Sequence, residues 1–317
     1  MNALFEDFDE IAELAQGLDD ASPGTRIMAV IELADSADPA AIAHLARAIA
    51  DEDAGVRKQA ALALTDFDGP ETAAALVSAL TDPDPAVIEA ASVSLTELKD
   101  PAAGDAILPH LEDTNVVKLT ACLAGIKELR RPEAMGAAVQ ALQNAATDVR
   151  VQAVGVIGWL QDETSLPALR SAAADSDTQV RRTALAALGF SKSDHAEATL
   201  IAGLDDPEWL VREAAAETLA KTGGPECIAA LRSALKDEYW QVRLKAVRSL
   251  GKLNAKEAAM EIGPMMEVPV PNLRKECAAV LGELAVKETA QFLEKYVYDQ
   301  DPDVRKNVRW AMGKLAD

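Results

Sequence analysis

Apolar residues along this chain fall on helical stripes, and the stripes return every 31 residues. With Arg181 as the origin of one unit, positions −1, +3, +4, +7 and often +10 are apolar, the spacing of one helical face. The same origin falls at Arg26, Arg57, Ile88, Leu119, Arg150, Arg181, Arg212, Arg243, Arg274 and Arg305. Position +3 holds a small residue in nearly every unit, from Ala29 and Ala60 to Cys122 and Cys277. Position +7 holds Leu33, Leu64, Leu95, Ile126, Ile157, Leu188, Leu219, Leu250, Leu281 and Met312. These stripes predict one helix per unit, helix B, running from about three residues before the origin to about ten after it. A second stripe, marked by Leu45, Leu76, Ile107, Leu169, Leu200, Leu231, Ile262 and Leu293, predicts a preceding helix A.

Polar positions set the boundaries. Six residues before the origin stands Asp in eight units of ten, with Asn144 and Val268 as exceptions. Asp53, Asp84, Asp177 and Asp301 stand where an N-cap is wanted, with Pro85 and Pro302 next. Pro39, Pro70, Pro101, Pro132 and Pro225 share one position at the expected start of helix A. Glycine at +8 (Gly158, Gly189, Gly251, Gly282, Gly313) weakens a helix, so a close neighbour is expected there. No insertion breaks the register. A fixed period of this length marks a stacked-repeat array. One continuous domain over residues 1–317 is therefore expected, and the Asp and Arg of each turn read as structural.

The run D-x-D-x-x-V-R-x-x-A-x-x-x-L-G, seen as Asp175 to Gly189 and Asp299 to Gly313, resembles HEAT repeats, in particular the short repeats of the phycobilisome-lyase type. The resemblance covers essentially the whole chain. It implies an all-α, right-handed α-solenoid of about ten helix-turn-helix units. Helix A would lie on the convex surface, helix B would line the concave one, and Asp/Arg pairs would run along the turns. Ile88 and Leu119 should interrupt those pairs, and so should Val268. Pro264 should kink or break its helix A.

Composition narrows the chemistry. Aromatics are 4% and net charge is −21, which disfavours nucleic acid and anionic membranes as partners. Residues 1–150 hold 27 acids and 10 bases; residues 151–317 hold 25 and 21. No basic region followed by an apolar one opens the chain, and no apolar run reaches about 18 residues, so a soluble cytoplasmic protein is expected. His44, His110 and His195 occupy unrelated repeat positions, and the His-Glu dipeptide of the HEAT-like deoxyhypusine hydroxylases does not occur. No phosphate loop or nucleophile motif appears, so neither a metal nor another cofactor is expected. Cys122 and Cys277 read as packing residues; Cys227 lies near the start of a helix A, where the dipole could lower its pKa, but with no base beside it an unreactive thiol is the favoured reading.

A binding surface is the remaining candidate. Positions +1, +2, +5 and +9 of helix B should face the concavity. In the C-terminal units they carry Arg182, Lys221, Lys245, Arg248, Lys252, Lys275, Lys306 and Lys314, a basic stripe that suits an acidic peptide or domain or else is solubilising charge partly paired with Glu213, Glu217, Glu276 and Glu283. Trp159 and Phe190 at +9 read as ligand-facing, and Trp310 lies at +5; Trp209 and Trp240, one period apart in turns, read as packing. The expected function is a non-enzymatic scaffold or adaptor. The alternative implied by the resemblance is a cofactor-attachment or maturation factor like the phycobilin lyases, holding a tetrapyrrole or its acceptor protein. The acidic first helix, from Phe5, and the basic last one permit weak head-to-tail self-association.

Overall fold

The computed structural model describes residues 10–191 and 193–316. Among them the chain forms twenty α-helices, joined in places by short 3-10 turns, and no strand. They fall into two compact units, Met1–Leu160 and Gln161–Asp317. The first holds α1 (Glu10–Gln16), α2 (Pro23–Asp35), α3 (Ala41–Ala48), α4 (Ala54–Ala63), α5 (Pro70–Ala79), α6 (Pro85–Glu97), α7 (Gly104–Ile107), α8 (Val116–Leu129), α9 (Met135–Ala141) and α10 (Thr147–Leu160). The second holds α11 (Leu166–Ala172), α12 (Thr178–Leu188), α13 (Asp194–Ala202), α14 (Trp209–Thr218), α15 (Pro225–Ala234), α16 (Trp240–Lys252), α17 (Ala259–Ile262), α18 (Pro271–Leu284), α19 (Ala290–Leu293) and α20 (Pro302–Ala316). Odd-numbered helices are the expected A helices and even-numbered ones the B helices. The expected first helix begins at Glu10; its acidic stretch from Phe5 to Asp9 lies outside the described residues.

All ten B helices start three residues before their repeat origin. Within each unit they stack in chain order, α2 on α4, α4 on α6, α6 on α8 and α8 on α10, then α12 on α14 through to α18 on α20. Every +3 residue is buried, and so is every +7 residue except the half-buried Met312. The helix-A markers from Leu45 to Leu293 are buried as well. Each unit is thus an α-solenoid in which the stripes of adjacent repeats cover one another. Pro70 and Pro225 open A helices α5 and α15; Pro101 and Pro132 open 3-10 turns instead, and Pro39 precedes α3 by two residues.

The turn into helix B carries two nested caps. The first acid accepts the N–H two residues on, as Asp51 does from Asp53 and Asp175 from Asp177 (2.8 Å each). The second acid caps the helix: Asp53 Oδ1 accepts from Gly55 and Val56, and Asp177 Oδ1 from Gln179 and Val180. Asp84 and Asp301 do the same.

The arginine at the origin joins this turn to the next repeat. Arg57 Nε and Nη2 donate to both oxygens of Asp82, 25 residues on, at 2.6 and 2.8 Å. Its Nη1 donates back to the carbonyl of Asp51 at 2.9 Å. The same fork links Arg26 to Asp51, Arg181 to Asp206, Arg212 to Asp237 and Arg274 to Asp299. Two parallel charge-assisted bonds fix orientation as well as distance. The Arg57 hydrogen bond holds the Asp82 carboxyl below the usual carboxylate range. At Asp51, Asp206, Asp237 and Asp299 burial pushes the pKa up, but the arginine fork and the capped N–H outweigh it, and the carboxyl titrates low.

The predicted interruptions differ in kind. With Ile88 in place of arginine, Asp113 pairs instead with Lys118 at 3.1 Å. Where Leu119 replaces arginine, the following acid is replaced too, by neutral Asn144. Val268 leaves a real defect. Arg243 keeps its bonds back to the carbonyls of Asp237 and Glu238, but its Nε is buried with no partner. Pro264 breaks its A helix as expected: α17 stops after Ile262, and a 3-10 turn, Gly263–Glu267, completes the element.

Helix B also ends in register. Position +11 has positive φ in six repeats, at Ala37, Arg130, Gln161, Asn254 and Ala285 (φ 50 to 53°) and at Gly223 (φ 79°). Only one of the six is glycine, although this left-handed cap disfavours a Cβ. At +8 the expected close approach is real. A Cβ on Gly251 would lie 2.9 Å from Val280, and one on Gly282 would lie 2.8 Å from the Ala311 backbone and 2.5 Å from the Trp310 ring. The neighbour is the next B helix, through side chains more than backbone.

Val268→Asp should supply the missing acceptor for Arg243 and stabilise the protein by about 1.5 kcal/mol, whereas Asp237→Ala should destabilise it by about 2 kcal/mol. Equilibrium chemical denaturation measures both. Ala285→Gly should stabilise by about 1 kcal/mol, because the left-handed cap is then unstrained. The same measurement, with helicity unchanged by circular dichroism, checks it.

Candidate functional site

The exposed positions of helix B follow from the buried ones. With −1, +3, +4 and +7 turned into the stack, +1, +2, +5 and +9 remain at or near the surface. Phe190 at +9 of α12 is 55% exposed, Trp310 at +5 of α20 is 44% exposed and Trp159 at +9 of α10 is 38% exposed. Each is braced by the adjoining repeat. Lys221 Nζ stands over the Phe190 ring, 4.3 Å from its centroid, so two candidate residues meet in one cation–π contact. Arg130, at the left-handed cap of α8, stands 5.1 Å over Trp159. Trp310 packs on Gly282.

Half of the basic stripe is committed to partners within its own unit, Lys221 to the Phe190 ring and three others to acids. Lys245 Nζ lies 2.9 Å from Glu217, on the preceding B helix. Arg248 Nε and Nη2 donate to the two carboxylate oxygens of Glu276 at 2.8 Å each. Lys275 Nζ reaches Asp303 at 3.5 Å in an exposed pair of little energetic weight. Arg182, Lys252, Lys306 and Lys314 have no ion pair among the described residues. The stripe is therefore a lattice of pairs between neighbouring B helices with four cations left over. Of the two turn tryptophans, Trp209 stacks on Tyr239 at 5.5 Å, and Arg212 stands 5.5 Å over the same Tyr239 ring. Trp209 thus packs on the adjacent turn as expected. Trp240 does not join that stack; it lines a surface cleft with Gln241 and Leu244.

The HEAT-repeat family profile matches residues 11–95, 50–124, 105–189, 166–251 and 197–267. The chain belongs to the HEAT-repeat family. Its fold is shared with yeast importin-β (Kap95p), at 15% sequence identity over 96% of this chain and 52% of that one, with a TM-score of 0.67. The chain thus spans about half the length of that importin. It is also similar to the Escherichia coli protein YibA, at 18% identity over 94% of this chain and 98% of that one, with a TM-score of 0.54. A second structure of Kap95p, described as inducing the switch loops of RanGDP to adopt the GTP-bound conformation, matches at 14% identity over 96% and 55% of the two chains, with a TM-score of 0.58. No curated protein sequence matches this one.

Among the described residues no group of three His, Cys, Asp or Glu side chains is placed to hold a metal ion, and no helix is long and apolar enough to cross a membrane. His44 and His110 are half-buried, and burial together with nearby Lys118 lowers the His110 pKa. Cys122, Cys227 and Cys277 are free and buried. Burial pushes the Cys122 thiol up to about 12 and raises Cys277 further still. For Cys227 burial raises the pKa, outweighing a hydrogen bond with Thr222 Oγ1 (3.2 Å), in line with the packing role favoured from the sequence. The helix start is there, but the thiol points into the core. None of the three thiols should react with Ellman's reagent in the folded protein at about pH 8, and all should react in denaturant. A fast-reacting thiol in the native protein would contradict this placement.

Proposed function

We propose that this protein is a non-enzymatic scaffold that binds another protein through the exposed helix-B positions of its solenoid. The observation that carries the reading is the contrast within each B helix. The buried +3 and +7 positions keep one residue class in every repeat, while exposed positions vary and hold the partly exposed rings of Phe190 and Trp310, with Trp159 on the first unit. Rings held in place by a cation or a glycine are preordered for contact and lose little entropy on binding. A partner surface crossing α12, α14 and α16 would meet Phe190 with Lys221, then Arg182 and Lys252. An acidic segment suits these two cations and Lys306, since Lys245, Arg248 and Lys275 already have carboxylate partners. The uninterrupted register supports treating both units as one continuous binding domain, and three free thiols support a cytoplasmic setting.

Phe190→Ala should lower the affinity of a copurifying partner about tenfold, an effect of about 1.4 kcal/mol, with the unfolding midpoint unchanged. Affinity purification from the native cell identifies the partner, and titration of the purified pair measures the loss. Equal affinity in the variant removes Phe190 from the site. The cofactor-attachment alternative has its own signature: a visible absorption band in the purified protein, or a shifted bilin spectrum on mixing, would select it. Head-to-tail association through the basic α20 would appear as concentration-dependent sedimentation at low salt.

A further inference from the structure

The helix-B layer of the second unit contains a cleft of about 260 Å³ between α14, α16 and α18. Glu213, Leu244 and Lys275 enter it from position +1 of three successive repeats, and Trp240 and Gln241 enter it from the start of α16. The charges around it are not equally available. Glu276 has both oxygens occupied by Arg248, and Lys275 leans out to Asp303. Besides the Asn272 amide, which can donate or accept, the uncommitted groups attract positive charge. The Glu213 carboxylate has no hydrogen-bond or ion-pair partner among the described residues. Gln241 Oε1 is buried and unpartnered. The half-buried Trp240 ring adds a π face, and no ring or cation of the described residues stacks on it. An anion, an amide oxygen and an aromatic face all attract positive charge.

We propose that this cleft receives the side chain of an arginine presented by the protein partner. The inference rests on the protein-binding reading and sharpens it. A guanidinium is planar and always charged, and it carries five donors in a fixed fork. It can lie on the Trp240 ring while its N–H groups reach the Glu213 carboxylate and Gln241 Oε1 together. A lysine ammonium is a point charge that offers no planar stacking. The lining is charge-balanced, Glu213 and Glu276 against Arg248 and Lys275, and its one unpaired charge among the described residues is the Glu213 carboxylate, so the cleft sets the register of a partner that carries an arginine among acidic residues. Like-charge contact penalises every other alignment.

The test uses the full chain and the peptides acetyl-Gly-Arg-Gly-amide, acetyl-Gly-Lys-Gly-amide and acetyl-Gly-Glu-Gly-amide. The Trp240 indole N–H resonance is identified by its loss in Trp240→Phe and followed by NMR during titration. The arginine peptide should shift this resonance saturably, and Glu213→Gln should weaken that binding about tenfold at an unchanged unfolding midpoint. The glutamate peptide should leave the resonance in place. A non-saturable response to arginine, an equal response to glutamate, equal binding of lysine, or undiminished binding in Glu213→Gln would each overturn the assignment. Because no cellular partner enters the titration, its failure is distinct from a failure of the Phe190 experiment on the purified pair.

Discussion

The bidentate contact between an origin arginine and the aspartate of the following repeat, made by Arg26, Arg57, Arg181, Arg212 and Arg274, is the constraint on which the stack depends. A hydrophobic stripe fixes that two helices touch, but it tolerates sliding and rotation because dispersion forces have little direction. The arginine removes that freedom. Its fork grips the next turn while its third nitrogen holds the carbonyl of its own turn, so two consecutive turns share one rigid group. The same aspartate oxygen that accepts the arginine also caps the backbone of its own turn. The helix start and the repeat spacing are therefore set by one carboxylate. At Asp51 and Asp82 that shared device ties the start of helix B to the spacing of the repeats.

Where the rung is missing, the chain shows three different ways of living without it. Asp113 finds a local lysine. Leu119 and Asn144 lose charge on both sides at once. Arg243 retains its charge and lacks its acceptor. The first two keep buried polar groups matched; the third is the point at which the second unit departs from its own pattern, next to a helix A shortened by Pro264. The side of the stack facing away from these turns is built on the opposite principle. There the pairs are long side chains at or near the surface, Lys245 with Glu217 and Lys275 with Asp303, and their energetic weight is small. Such pairs exchange readily for contacts with a partner, whereas the rungs do not.

Much of the fold was written in the sequence because a repeat states its rule many times. The period, both helices, the caps and every buried +3 residue follow from positions that can be compared ten-fold within one chain. The Pro264 break and the Val268 defect were legible for the same reason, as departures from a rule. The surface was not legible in this way. Position and charge identified Lys245, Arg248 and Lys275 and the acids Glu217 and Glu276, but not which pairs form nor that Lys275 reaches Asp303, because pairing between helices depends on rotamers that no period encodes. Arg130 escaped notice since it lies at +11, beyond the helix stripe, where a left-handed residue re-aims its side chain toward Trp159. The helix start at Cys227 does not activate its thiol, because the side chain is buried. Glu213 looked like a pairing partner for the stripe and has none.

The rungs also bear on how such an array can be cut and joined. Each one is divided between two repeats: the arginine belongs to one and its acceptor to the next. A block excised as helix A plus helix B carries half of two different rungs, and its outer halves must suit whatever neighbours it receives. Residues 113 to 144 illustrate the point, with a leucine at the origin and an asparagine waiting in the following turn. Placed after an arginine-bearing repeat, that asparagine would meet a guanidinium with no charge to offer. The transplantable module of this protein is therefore out of phase with its visible helical hairpins, running from one arginine through the next aspartate.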